Sequence, residues 1–211
     1  MSAPPPDGFP LPVGLAPVES VERPEDALIA AAQQGDVRAF EALLLAHEGK
    51  VLRVLRFLGV SSADREDVAQ EVFVRVFRHL GGFRPGRPFG AWIYRITVNA
   101  AHDWRLHKAP GMEDLWSASA ESVCAPDPDP EQAAEAESLR RQLEQGLRSL
   151  SERERSVFVL RELEGLETVE VARALGITTI TVRRHLGRAR DHLRRLLHPV
   201  ERSPGKAGSS E

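Results

Sequence analysis

The chain has 211 residues, 42% of them apolar and 6% aromatic, with a formal net charge of −3. That length allows one large domain or two small ones. A single cysteine, Cys124, excludes an internal disulfide and a cysteine-built metal cluster, and no apolar run approaches the roughly 20 residues of a membrane span.

Residues 1–24 are rich in proline, poor in apolar periodicity and read as a disordered extension. They lack the basic start and continuous apolar core of a secretion signal, so a cytoplasmic protein without membrane insertion is expected. PEDALIAAAQQG opens with a proline at a helix entrance and ends at Gly35. Asp36 is an N-cap for a long helix through Phe57, with Phe40, Leu43, Leu44, Val51, Leu52 and Leu55 at helical spacing. Ser61, Ser62 and Asp64 open a third helix with the stripe Val68, Val72, Val76, Leu80, reinforced by Phe73 and Phe77. GGFRPGRPFG is a loop by composition, and a fourth helix runs from about Ala91 to Lys108.

Residues 109–135 are dominated by Pro, Ser and acids and read as a flexible linker, with Cys124 an inert exposed thiol within it. Helices resume near Glu131. Ser151 and Glu154 form a capping box for SERERSVFVLREL, which Gly165 ends. The tail 199–211 is disordered by composition. The expected fold is all-α: a domain over 25–108, a linker over 109–135 and a second small domain over 136–198.

Three segments carry functional information. In TVEVARALGITTITVRRHL, Ala172, Gly176 and Val182 sit at the spacing of a helix-turn-helix, whose second helix enters a DNA major groove. That helix presents Thr178, Thr179, Thr181, Arg183, Arg184, His185, Arg188 and Arg190, groups suited to phosphates and base edges. A solvated helical hairpin is the plainer reading. Against it, residues 171–198 hold Arg173, Arg183, Arg184, Arg188, Arg190, Arg194 and Arg195 with Asp191 as the sole acid, whereas residues 112–138 hold acids and no Lys or Arg. The second segment, DREDVAQEVFVRVFRHL, shows Asp67, Gln70, Glu71, Arg75 and Arg78 on its polar face, which alone is any amphipathic surface helix. The third, FGAWIYRITVNAAHDWRLHK, combines Trp92 and Tyr94 with Arg95, Asn99, His102, Asp103 and Arg105. Aromatic, basic and amide groups suit single-stranded bases. From spacing alone, a core helix with Asn99 bonded to Asp103 stands beside that reading.

The order of these pieces resembles the extracytoplasmic-function group of bacterial RNA polymerase sigma factors. DREDVAQEVFVRVFRHL is similar to their region 2.2 helix, the Trp92 helix to the next subregions, and residues 147–197 to region 4. The resemblance implies a transcription initiation factor with two partners, core RNA polymerase and promoter DNA, and by analogy an anti-sigma factor. It places Asp67, Gln70, Glu71 and Arg75 on the polymerase. Trp92, Arg95, Asn99, Asp103 and Arg105 fall on the melted minus-ten strand, and the helix-turn-helix on the minus-thirty-five duplex. His185 stands where the family usually has Arg, which would make one phosphate contact pH-dependent. The acidic linker would thread toward the RNA exit path.

No catalytic set is visible. The seven histidines are scattered without metal-ligand spacing or a nucleophile partner, and there is no Gly-rich phosphate loop. No enzyme activity, metal or cofactor is expected. The alternative is a duplex-binding helix-turn-helix regulator that acts without polymerase, which would not need the aromatic-basic helix.

Overall fold

The computed structural model describes residues 24–84, 86–107 and 130–197, and the regular structure among them is entirely helical. Helix α1 (Pro24–Gln33) carries Glu25 and Asp26 in its first turn, where acids complement the helix dipole. Its last residue ties it to the fold, the Gln33 amide donating to the carbonyls of Leu80 (2.9 Å) and Phe83 (2.7 Å). Helix α2 (Val37–Phe57) starts as expected. Asp36 Oδ1 accepts from the Arg38 and Ala39 amides at 2.9 and 3.2 Å. Helix α3 (Ser62–His79) follows Ser61, whose hydroxyl bonds the Asp64 carboxylate instead of capping the backbone. A 3₁₀ turn over Leu80–Gly82 leads to the loop before α4 (Phe89–His107).

The first domain's core forms where three stripes meet: Leu43, Val51, Val54 and Leu55 of α2, Val68, Val72 and Val76 of α3, and Ile93 and Ala100 of α4. Each fully buried large aliphatic side chain contributes about 1.5–3 kcal/mol. Phe77 does not reinforce this core. It is 64% exposed and meets Phe40 edge-on, ring centroids 5.1 Å apart. The i, i+4 stripe already ends on Leu80, and one residue past Val76 the helix has turned by about 100°. Helix α4 begins two residues before the expected Ala91, because Phe89 is itself a core anchor, packed against Phe83, Trp92 and His47.

In the second domain, α5 (Pro130–Arg148) begins inside the expected linker, so residues 130–135 are helical; 109–129, the terminal segments 1–23 and the tail 199–211 lie outside the described residues. Helix α6 (Glu152–Phe158) has the expected capping box, with Glu154 held ionised below its usual range mainly by the Ser151 hydroxyl. It does not continue as α-helix to Gly165. Over Val159–Leu163 it widens into a π turn, with the Glu164 amide donating to the Val159 carbonyl at 3.0 Å. Helices α7 (Thr168–Leu175) and α8 (Thr179–Leu197) complete the domain. Val157, Val171, Val182, Leu186, Ala189 and Leu193 are buried between them. At Gly146 of α5 an added Cβ would lie 2.6 Å from Leu193 Cδ2, so any larger residue there would force the Leu193 side chain to move.

The two domains are docked on each other, whereas the sequence alone suggests two units on a flexible tether. Helix α7 lies against α4, and residues around the π turn meet the C-terminal end of α2.

Candidate nucleic-acid interface

The helix-turn-helix has the expected geometry. Gly176 ends α7 in the left-handed region (φ 64°, ψ 34°), a conformation that costs a side-chain-bearing residue about 1–2 kcal/mol. Ala172 and Val182 are buried at the crossing, 7% and 0% exposed. Thr178 caps α8: its Oγ1 accepts from the Thr181 amide (3.1 Å) and lies 2.9 Å from the Thr181 hydroxyl. The inward stripe of α8 is Val182, Leu186, Ala189 and Leu193, and Arg183, Arg184, Arg188 and Arg190 are exposed on the rest of its surface. Arg190 already has a partner, donating to Glu162 of the π turn at 2.8 Å. Thr179 and Thr181 are half-buried at the helix start.

His185 is half-buried, and its Nδ1 is a buried atom without a hydrogen-bond partner. Burial and the charges of Arg184 and Arg188 push its pKa down against the opposing pull of Glu154. The imidazole is therefore neutral at pH 7 and adds nothing to the positive face.

On α4 the expected residues divide. Trp92, Arg95, Asn99 and Asp103 recur at i, i+3, i+7 and i+11 and share one face. Trp92 is half-buried against Phe83 and Phe89, with ring centroids 5.1 and 5.5 Å away, so its indole is seated rather than free. Arg95 is half-buried and Asn99 exposed. Asp103 bonds Arg75 across to α3 at 2.7 Å, not Asn99. Arg105 lies off this face. It donates to the Leu58 carbonyl (2.8 Å) and pairs with Glu152 of the second domain (3.1 Å).

On α3, Asp67, Gln70 and Glu71 are exposed and Arg75 is half-buried between Glu71 (2.8 Å) and Asp103. Burial works against the Arg75 charge, but these two carboxylates more than offset it and raise its pKa. An open apolar cleft of about 330 Å³ adjoins this helix, lined by Glu41, Leu44, Leu45, Glu48 and Phe73, with Leu45 75% exposed.

One set of residues had no signal in the sequence. Glu164, its side chain 1% exposed, accepts Nε and Nη2 of Arg53 at 2.8 Å each and the Tyr94 hydroxyl at 2.5 Å. Burial, and then Glu164, push the Tyr94 pKa well above its usual range. Glu144, its side chain 8% exposed, receives Arg56 at 2.5–2.7 Å. These partners are 70 to 111 positions apart in the chain, beyond any local motif. Tyr94, an aromatic that by composition suits stacking on bases, is instead buried in the domain seam, 5% exposed.

Among the described residues no group of His, Cys, Asp and Glu is placed to hold a metal ion, and no helix is long and apolar enough to cross a membrane. Residues 43–109 match the Sigma-70 region 2 family, and residues 140–193 match Sigma-70, region 4. The chain is 31% identical over 185 residues to the ECF RNA polymerase sigma-E factor of Escherichia coli, covering 84% of this chain and 96% of that protein. It is similar in structure to CnrH solved in complex with the cytosolic domain of CnrY (TM-score 0.64, 30% identity, 83% of this chain and 98% of that one). It also shares its fold with the sigma factor RpoE of Bartonella quintana, solved with the anti-sigma factor NepR (TM-score 0.61, 22% identity, 79% of this chain and 100% of that one).

Proposed function

Because the chain belongs to the extracytoplasmic-function group of sigma-70 RNA polymerase sigma factors, we propose a division of promoter recognition between its two domains, residue by residue. The protein is a transcription initiation factor: it binds core RNA polymerase and directs it to promoters. The observation that carries the residue assignment is the α8 surface, where Arg183, Arg184 and Arg188 project opposite a wholly apolar inner stripe. In the proposal these arginines, with Arg190, hold the minus-thirty-five duplex by phosphate and guanine-edge contacts. Thr179, Thr181 and His185 stand at the same groove, and Thr178 fixes the helix start. Arg95 and Asn99 take bases of the melted minus-ten strand. Trp92, seated on Phe83 and Phe89, forms the wall of that site, and Asp103 orients Arg75. Extruding bases costs a few kcal/mol, which pocket contacts offset.

Asp67, Gln70, Glu71 and Arg75 form the polymerase-docking face, with the apolar cleft by Leu45 and Phe73 beside it. Their acidic and amide character suits a basic partner. An anti-sigma factor is the proposed inhibitor, by analogy with the group to which the chain belongs. Work beside polymerase and DNA places the protein in the cytoplasm. A stand-alone duplex regulator is not favoured, because such a protein has no need of a second domain matching region 2.

The test is charge reversal at Asp67 and Glu71. Asp67→Lys with Glu71→Lys is expected to weaken core polymerase binding at least tenfold in a fluorescence titration, with the far-UV spectrum and the minus-thirty-five duplex affinity unchanged. Unchanged core affinity overturns the docking face.

A further inference from the structure

Helix α8 carries an apolar group on its outermost line. Ile180 lies two positions before Val182. At about 100° per residue it therefore points almost directly away from the buried stripe of Val182, Leu186, Ala189 and Leu193. It is 74% exposed. Arg184 and Gly187 follow at i+4 and i+7 on the same line, with Arg183 and Arg188 on either side. A single exposed aliphatic residue is ordinary on a protein surface. The neighbours set this one apart. Arg183, Arg184 and Arg188 surround it with exposed cations. The hydroxyls of Thr178 and Thr181 are bonded to each other at 2.9 Å, and Thr178 Oγ1 also accepts from the Thr181 amide. Those hydroxyls hold the helix start, which leaves the Ile180 side chain as the group of the first turn that reaches outward.

Gly187 marks the same line a second time. Its φ is not positive, and a Cβ built on it would meet nothing within 4 Å. Neither a turn nor a close contact inside the fold calls for glycine, which weakens a helix interior relative to alanine. What it does is clear a notch, about 10 Å along the axis from Ile180, where an outside surface can come close. Asp191, one turn further on, is the sole acid of α8, and its carboxylate ends the line that phosphates can approach. An apolar tip flanked by cations, with a notch beside it, fits the major groove of duplex DNA. The groove offers phosphates on both rims and, on its floor, the 5-methyl group of thymine, the apolar feature that a base edge presents there. Resting on the proposed placement of α8 at the minus-thirty-five duplex, we infer that Ile180 is a specificity-determining residue. It packs on the 5-methyl group of one thymine, and Gly187 gives the duplex room to approach. The arginines supply phosphate and guanine contacts, and Ile180 adds discrimination at one base pair through the methyl group alone.

The test uses holoenzyme reconstituted from core polymerase and the full chain. Promoter fragments are selected from a library randomised upstream of the transcription start. Each thymine of the selected upstream element, on either strand, is then replaced by deoxyuridine, which removes only the methyl group. One position is expected to lose about fourfold in affinity, the equivalent of one buried methyl group at about 0.8 kcal/mol. Ile180→Ala should weaken binding of the thymine promoter by at least that factor and become indifferent to deoxyuridine at that position, with every other position responding as before. Gly187→Ala should raise the melting temperature of the chain and weaken duplex binding, a split that a purely structural glycine would not give. An element without thymine, or a methyl effect that survives Ile180→Ala, overturns the assignment. Lost core polymerase affinity in Ile180→Ala, with the deoxyuridine response unchanged, makes the isoleucine a protein contact and overturns it too. Unchanged duplex affinity in Gly187→Ala overturns the role of the notch. Holoenzyme that selects no upstream element at all sinks the initiation-factor reading along with Ile180, whereas the other failures leave that reading standing.

Discussion

Single residues decide whether the DNA reader forms and what charge it carries. Gly176 is the clearest case, because its φ of 64° is required to turn α7 into α8. Gly176→Ala is expected to cost about 1–2 kcal/mol in chemical denaturation, with the fold retained. His47 ties stability to pH through its burial. It is 2% exposed beneath Phe89, and its Nε2 lies 3.3 Å from Glu25 Oε1 but outside hydrogen-bonding geometry; its Nδ1 has no partner. Burial lowers its pKa, Glu25 pulls the other way without prevailing, and Lys50 adds to the lowering. A folded-state pKa below the unfolded value means the unfolded chain binds the proton first. The stability associated with neutral His47 is thus present above pH 6.5 and is lost as pH falls through the folded value. Thermal melts from pH 7.5 to 5 should show a steeper loss for the unmutated chain than for His47→Gln; parallel slopes would contradict this assignment.

At the scale of elements, legibility followed range. Helices α2 and α3 were readable because Asp36, Ser61 and the i, i+4 valines are local signals of cap and core face. The helix-turn-helix was readable because a buried small residue, a left-handed glycine and an inward valine must recur at fixed offsets. The π turn was not, because an α-helical pattern through Leu163 is equally compatible with the wider turn observed. Tyr94 was misplaced for a related reason: helix periodicity says which residues share a face, but not that another domain covers it. Arg105 shows the same limit, since its composition suits nucleic acid while its guanidinium serves the seam. On α8, Arg188→Ala is expected to weaken binding of minus-thirty-five duplexes similarly across sequences. It should also lower the magnitude of the salt-dependence slope by about 1, as expected for one lost phosphate contact. A loss confined to one base position would make Arg188 a base reader instead.

For the whole molecule, charge segregation reconciles an acidic chain with DNA. The arginines of α8 face outward, while Glu144, Glu152 and Glu164 of the same domain turn toward arginines of the first domain. The net charge of −3 therefore hides a basic face on α8, where the proposal places the DNA. As an initiation factor, this chain is to confer two-element promoter recognition on a polymerase that lacks it. The direct measurement is transcription from genomic DNA fragments by purified core polymerase, with and without the chain, followed by mapping of transcript starts. Transcripts that depend on the chain and share two sequence elements at a fixed separation upstream of their starts are expected. Arg183→Ala with Arg188→Ala should erode dependence on the upstream element, and Asn99→Ala on the downstream one. Starts unchanged by the chain, or starts sharing only one element, would contradict it.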